Sequence, residues 1–575
     1  MVKISTLSSL FGVYLPSRLQ KALLVLSVIC LHGTLFAQGS QNVSVINDNG
    51  QTTLMVDGKP FMVNGMNWDY IPIGTNTVDA NFWKKSDDLI RAGLDHEMSL
   101  LRNMGVNAIR QYTGVPAKWI QYIYENYGIY TMLNHSFGRY GLLMDGVWVP
   151  VTDYADPKTQ KFLMDEIDEL VEGYKDTPGL LLWLLGNENN YGLFWAGAET
   201  EDFPDDASRI DFIGESRGRP MYKLMNDAAL KMKAVDPNHP VAICNGDVLF
   251  IDIIAEECKD VDIYGTNVYR GLSFGDMFQV VKDKLNVPIL LTEFGADAYN
   301  AISLEEDQES QAYYMTGNWK EIYENAAGLG KAGNSIGGFT FQFSDGWWKY
   351  GFDDRENADV HDNNASWANG GYGRDLIEGE NNMNEEWFGV CAKGPTDERG
   401  LYKLYPRAAY YALQEAHSFD PYRQGVTAET VDAYFEGINI MGAALKARGD
   451  KAALQSNKKI DLSTFRAEFE TFNTGGALIT TPDDPDPGAV ALGNTTFPDE
   501  LGFDHTQSFY LGVEANPTGN MHANITFNFL GNVADNPIDE IFYENVARDI
   551  EGNRKIGNLR VYDAEFEWKE KMFDL

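Results

Sequence analysis

The sequence predicts an α/β fold, a (β/α)8 TIM barrel, followed by a C-terminal all-β module of sandwich-like type. Three observations carry that expectation. The stretch LLLWLLGNENNY at 180–191 runs apolar without polar alternation and stops at Gly186, handing over to Asn187 and Glu188. A strand buried on both faces of a parallel sheet, with a polar site at its carboxyl end, has that design. A second stretch, VPILLTEFGADAY at 287–299, repeats it and ends in Thr292 and Glu293. Between residues 61 and 417, strand-like and helix-like segments alternate through eight units, which a closed barrel requires and an open doubly wound sheet does not.

Taken in order, TTLMVDGKPFMVNGMNW reads as a hairpin turned at Asp57 and Gly58, with a first core strand at 61–65. A helix over 88–104 precedes the strand VNAIRQY at 106–112, and a helix over 116–127 precedes a strand at 129–134. The helix over 159–174 sets Phe162, Ile167, Leu170 and Val171 near helical spacing ahead of the strand at 180–185. Helices over 221–234, 251–258, 274–285 and 308–326 precede strands at 240–244, 262–268, 287–293 and 337–343. A helix over 406–417 closes the set.

The barrel is expected to end near Tyr422. Val431, Tyr434, Phe435, Ile438, Met441 and Leu445 then mark a helical pattern, and TTPDDPDPG at 480–488 is a turn-rich break. Beyond Leu462 the period becomes two: Phe465, Ala467 and Phe469; Phe509, Leu511 and Val513; Ala523, Ile525, Phe527 and Phe529; Tyr562, Ala564, Phe566 and Trp568. The expected organisation is a signal peptide at 1–37, the barrel at 38–424, a helical linker at 425–460 and the β-module at 461–575. Carbohydrate binding is one reading of that module.

The leader is basic up to Lys21 and apolar from Ala22 to Ala37, a pattern of secretion rather than anchorage because its apolar core is short for a membrane span. No later segment is long and apolar enough to cross a bilayer. A net charge of −38 over 575 residues repels nucleic acid and anionic membranes. Of four cysteines, Cys30 lies in the leader; Cys244, Cys258 and Cys391 are too few and scattered for a disulfide framework or a zinc site, and are expected as buried thiols. The acidic loop DDRENADVHD at 353–362 lacks the glycine and regular spacing of a calcium loop and reads as solvated.

In a TIM barrel the carboxyl ends of the strands form the functional face. Here those ends carry Asn67 and Trp68, Arg110, His135, Asn187 and Glu188, Asn245, Asn267 and Tyr269, Glu293, then Trp347 and Trp348. The set is polar, aromatic and carboxylate-bearing, with no phosphate-cradling glycine loop, and suits a sugar. Cleaving a glycosidic bond needs a proton for the leaving oxygen and a group to meet the anomeric carbon; Glu188 and Glu293 supply two carboxyls for the task. Asn187 is placed to donate to a sugar hydroxyl, and Tyr269 and Arg110 to hold a charged Glu293. His135 reads either as a sugar contact or as a satisfied barrel-mouth histidine. One of the adjacent Trp347 and Trp348 is expected to face the site, and Trp148 and Trp195 are candidates for a stacking platform at the mouth. No metal or organic cofactor is expected.

The ends Gly186-Asn187-Glu188 and Thr292-Glu293-Phe294-Gly295, the strand Asn107-Ala108-Ile109-Arg110 and the hairpin VDGKPFMVNGMNW together resemble the retaining β-glycosidases of the barrel clan that includes glycoside hydrolase family 2. The resemblance runs from Thr53 to His417. It implies that Glu188 is the acid/base and Glu293 the nucleophile, that Arg110 and Tyr269 are the clan's strand-two arginine and strand-six tyrosine, and that Trp347 or Trp348 is its strand-eight tryptophan. GVNAIRQY and DIYGTNVY also resemble family 72 glucanosyltransferases, which share the two glutamates and transfer sugar chains. The expectation is a secreted retaining hydrolase of oligo- or polysaccharides, with a β-glucan transglycosylase or a non-catalytic carbohydrate-binding barrel as the alternatives.

Overall fold

The computed structural model describes residues 40–76, 80–112, 114–194, 207–349, 358–453, 460–474, 502–518, 521–532 and 558–568. The leader, Trp195, residues 353–357 of the acidic loop and the break at 480–488 lie outside the described residues. The chain divides into two compact units, residues 1–447 and 448–575.

The first unit is a closed barrel of eight parallel strands in sequential order. They are β1 (Val63–Asn67), β2 (Ala108–Gln111), β3 (Tyr130–His135), β4 (Leu180–Leu185), β5 (Val241–Gly246), β6 (Ile263–Asn267), β7 (Ile289–Phe294) and β8 (Ser335–Thr340). Helices α1 (Asp87–Asn103), α2 (Ala117–Tyr127), α3 (Pro157–Tyr174), α4 (Arg219–Val235), α5 (Ile251–Glu257), α6 (Met277–Lys284), α7 (Gln308–Glu324) and α8 (Ala408–Ala416) alternate with them. Local signals set the helix ends. Ser86, Asp156 and Asp307 accept from backbone amides of the first turns of α1, α3 and α7, and α2 stops at Gly128, whose φ of 66° a side chain would resist.

All six residues of β4 are buried, as its unbroken apolar run requires. The small and aliphatic side chains of Val63, Ala108, Met132, Leu182, Leu184, Ala242, Ile263 and Leu290 join one core cluster with Val43, Leu54 and Val56 of the amino-terminal hairpin. That hairpin, Val43–Asp48 paired with Gln51–Val56, bonds Val43 N to Asn238 O and Thr52 N to Gly333 O. It caps the amino end of the barrel and leaves the carboxyl end to carry the site.

Two strand boundaries differ from expectation. The first core strand begins two residues late and runs to Asn67, because Phe61 still pairs back onto Leu54 through its amide. The eighth ends at Thr340, so Trp347 and Trp348 lie in a turn rather than on a strand, and the argument that adjacent strand residues face opposite sides does not apply to them. Past Tyr422, a helix at Ala428–Glu436 buries Val431 and Phe435 against the barrel, Phe435 lying 5.6 Å from Tyr323 and 6.4 Å from Phe419. Cys244 and Cys391 are buried free thiols and Cys258 is half-buried. Among the described residues no helix is long and apolar enough to cross a membrane.

In the second unit the described residues form one antiparallel sheet of four strands: Ile460–Thr474, Gly502–Thr518, Met521–Asn532 and Asn558–Trp568, in that order. A sandwich needs a second sheet, and that part of the expectation falls outside the described residues.

Candidate active site

The turn after β4 shapes the site first. Gly186 has φ of 86°, and a Cβ there would meet Asn189 Oδ1 at 2.6 Å, so the chain turns where only glycine fits. Two residues later Glu188 itself adopts φ of 55°. A left-handed backbone at a residue with a side chain costs roughly 1–2 kcal/mol and is held by its surroundings. Asn189 and Asn190 do the holding. Asn189 accepts from the Asn187 amide at 2.8 Å and donates to Phe137 O at 2.9 Å; Asn190 exchanges bonds with Gly246 O and N at 2.9 and 2.7 Å. The turn is thereby clasped to the ends of β3 and β5, and both Asn187 and Glu188 are directed into the barrel mouth.

Arg110, on β2 and wholly buried, is the hub. Its Nη1 pairs with Glu293 Oε1 at 3.0 Å and donates to Thr292 O at 3.1 Å. Its Nη2 donates to Asn187 Oδ1 at 2.8 Å and to Asn134 Oδ1 at 2.9 Å, while Nε donates to Asn134 at 3.0 Å. Asn267 Nδ2 completes the bridge, donating to Asn187 Oδ1 at 3.1 Å and to Glu188 Oε1 at 3.0 Å. The two carboxylates thus share a frame of one guanidinium and two amides.

Glu293 receives three donors. Besides Arg110, the Tyr112 hydroxyl lies 2.5 Å from Oε1 and the Tyr269 hydroxyl 3.1 Å from Oε2. Burial first, and the nearby Glu293 charge as well, hold both phenols well above their ordinary pKa, so each stays protonated and donates. Three donors around one carboxylate fix its plane.

Asn67, Arg110, Asn187, Glu188, Asn267, Tyr269 and Glu293 are therefore brought together. Asn67 accepts from the Tyr112 hydroxyl at 2.9 Å and anchors itself to Thr292 O and Phe339 O, both at 3.1 Å. Trp68 and His135 turn the other way. Trp68 Nε1 donates to Glu97 of α1 at 2.6 Å, and His135 Nε2 lies 3.4 Å from Glu166 of α3. Each is one residue past an inward-facing asparagine, Asn67 or Asn134, and strand alternation sends it outward. Trp347 stacks on His361 at 4.4 Å, His361 stacks on Trp387 at 3.8 Å, and Trp348 lies 5.2 Å from the Lys349 ammonium, which pairs with Glu385 at 3.1 Å.

Three contributors escaped the sequence reading. Tyr112 is two residues past Arg110, so strand alternation places it on the same face and could have found it. Asn134 was passed over for its neighbour His135. Tyr140, whose hydroxyl meets Asn187 Nδ2 at 2.7 Å, comes from the loop after β3 and had no periodic signal. Among the described residues no group of three or more histidine, cysteine or acidic side chains is arranged to hold a metal ion.

A parallel eight-stranded barrel with two glutamates in one hydrogen-bonded frame at its carboxyl mouth has the layout of a TIM-barrel glycoside hydrolase. Residues 48–326, a span holding both glutamates, match the model of one such family, described as glycosyl hydrolases family 2, TIM barrel domain. No curated protein matches the chain. Similar solved structures include the β-D-glucuronidase of Dictyoglomus thermophilum, at 18% identity over 66% of this chain and 54% of that one, with a TM-score of 0.39. The β-glucuronidase of Bifidobacterium dentium is 17% identical over 66% of this chain and 49% of its own, with a TM-score of 0.40. ScGas2 is 14% identical over 68% and 73%, with a TM-score of 0.39. The chain covers about half the length of the two glucuronidases.

Proposed function

We propose that the protein is a secreted retaining β-glycosidase that cleaves O-glycosidic bonds of oligo- or polysaccharides by double displacement. The observation that carries this reading is the frame of Arg110, Asn187 and Asn267 that joins the two glutamates at the barrel mouth. Glu293 is held by Arg110, Tyr112 and Tyr269, and Glu188 accepts from Asn267 and sits on a turn at the mouth. A carboxylate oriented by three donors suits attack on the anomeric carbon. A carboxyl on the turn at the mouth suits a group that must give up a proton to the leaving oxygen and regain one from water.

In the first step Glu293 attacks the anomeric carbon as the bond to the leaving oxygen breaks, and Glu188 delivers its proton to that oxygen. In the second, Glu188 takes a proton from water, the oxygen of that water attacks the same carbon, and the bond to Glu293 breaks. The sugar leaves with its original configuration. Arg110 stays charged throughout, and Asn187 donates to a sugar hydroxyl in place of the Tyr140 hydroxyl. The amino-terminal leader supports export, and the sheet of the second unit is proposed as a carbohydrate-binding module. Proton NMR of the first-formed product from a β-substrate tests the mechanism. A β-anomer is expected, and an initial α-anomer refutes it.

A further inference from the structure

The loop between β3 and α3 carries a small hairpin, Leu142–Met144 paired with Val147–Val149, turned at Asp145 and Gly146 with φ of 51° and 77°. Leu143 and Trp148 are cross-strand partners. Both point to solvent, 61% and 56% exposed, and Val147 beside them is 64% exposed. An apolar surface of this kind on a short, well-turned hairpin needs a reason.

The hairpin is joined to the site through Tyr140. That residue is 40% exposed, yet its hydroxyl reaches Asn187, the neighbour of Glu188. Arg139 lies over the Tyr140 ring at 5.2 Å. The Trp148 indole lies along the backbone of Gly141, where a Cβ would come within 2.7 Å of it, so the ring is seated rather than free to swing. Going outward from Asn187 along this loop, the chain thus presents Tyr140, then Trp148 seated on Gly141, then Leu143 paired with it. Across the site, Tyr269 beside Glu293 is backed by Trp367 at 5.6 Å and Phe388 at 5.9 Å, and Asn369 ties that wall to Tyr269 O at 2.7 Å. The nucleophile's side is walled by aromatic rings, and Asn187, next to the acid, is joined to the hairpin's loop through Tyr140.

Resting on the glycosidase reading, we propose that the hairpin bearing Leu143 and Trp148, with Tyr140 at its base, is the leaving-group subsite and binds the sugar residue whose oxygen Glu188 protonates as it departs. The leaving oxygen must lie beside the acid, so the sugar attached to it extends over the loop that touches Asn187. Sugar faces carry C–H groups that stack on indole and phenol rings, and Trp148 offers one such face. By microscopic reversibility the same surface receives an acceptor sugar. Its hydroxyl oxygen then bonds to the anomeric carbon, the bond from that carbon to Glu293 breaks, and the hydroxyl proton passes to Glu188. The substrate class is accordingly a chain of at least two sugars rather than a glycoside of a small alcohol.

The test compares substrates that differ only in what leaves. The β-glycosyl fluorides of glucose, galactose and glucuronic acid place no sugar on the hairpin, whereas the matching β-linked di- and trisaccharides do. For whichever sugar is turned over, Trp148→Ala is expected to lower the ratio of kcat/KM on the oligosaccharide to kcat/KM on the fluoride by about tenfold. Leu143→Ala should lower it about threefold, and Trp148→Tyr, which keeps a ring face, should retain most of it. With a fluoride donor and an added disaccharide acceptor, the fraction of transfer product should fall in Trp148→Ala. Both readouts are ratios within one preparation, so loss of folded protein does not imitate the effect. Ratios within twofold of wild type in Trp148→Ala overturn the subsite. Failure of the wild type to turn over any fluoride overturns the glycosidase reading itself, and the subsite with it.

Discussion

The Tyr112 hydroxyl stands 2.5 Å from Glu293 Oε1 and 2.9 Å from Asn67 Oδ1, so a single phenol ties the end of β7 to the end of β1. Its one proton is shared between the two acceptors, with the carboxylate, the stronger, taking the larger part. Tyr112→Phe leaves Arg110 and Tyr269 in place and removes one donor to a charged group, a loss of about 1.5–3 kcal/mol. The expected result is a fall in kcat/KM of roughly ten- to a hundredfold with little change in thermal stability. Steady-state kinetics on an aryl β-glycoside, beside a melting curve, checks both.

His417 makes the acid stability of the barrel testable. It is wholly buried, Nδ1 meets Met104 O at 3.1 Å and the ring packs on Trp319, 4.7 Å between centroids. Burial pushes its pKa down to about 4. The unfolded chain therefore binds this proton at a pH where the folded chain does not. The stabilisation is complete above about pH 6.5 and is lost as pH falls through the window toward 4, amounting to about 3 kcal/mol at most. His417→Gln keeps a donor for Met104 and has no proton to gain. Its deficit in melting temperature against wild type should narrow between pH 7 and pH 4.5. A deficit that stays constant would show that His417 does not titrate between the two states.

The strand ends were legible because a parallel barrel imposes two simple patterns, unbroken apolar runs and a polar residue where each run stops. Glu188 and Glu293 stand out on that rule alone. The rule fails one residue either side of a strand end, which is where Trp68 and His135 were placed in the site and Asn134 was not. A strict count in twos from Arg110 would have added Tyr112 and from Asn67 would have excluded Trp68. The clasp of Asn189 and Asn190 was invisible because the bonds that tie it to β3 and β5 run to backbone atoms far along the chain. The aromatic wall of Trp367 and Phe388 comes from an irregular segment whose path no periodicity records.

The helix at Ala428–Glu436 packs on the barrel, so a chain stopped at Tyr422 would uncover Tyr323 and Phe419. A chain ended after Ala447 keeps the whole first unit. It is expected to fold, by circular dichroism, and to retain activity on small soluble glycosides within about twofold of the full chain, because every residue in the glutamate frame lies before residue 300. Loss of binding to insoluble polysaccharide in pull-down would assign that role to the second unit. Loss of activity on the small substrates by a folded protein would show that the units divide the work differently.

The roles of the two glutamates can be separated chemically. Glu188→Ala removes the acid, so natural sugars, whose leaving oxygens need a proton, should be cleaved barely at all. A dinitrophenyl glycoside leaves unaided and should still load Glu293. The intermediate then stalls, because the base that activates water is also gone. Removal of the Glu188 side chain opens space beside Asn267 Nδ2, which held its Oε1 at 3.0 Å. Azide is small, anionic and already nucleophilic, and it should enter there and attack the anomeric carbon from the face opposite Glu293. Turnover of the activated substrate is expected to recover with azide, and the product to be a β-glycosyl azide. In Glu293→Ala the cation of Arg110 would draw azide to the other face, and any product would be the α-glycosyl azide. An α-azide from Glu188→Ala, or a β-azide from Glu293→Ala, would mean that the acid/base and the nucleophile are exchanged.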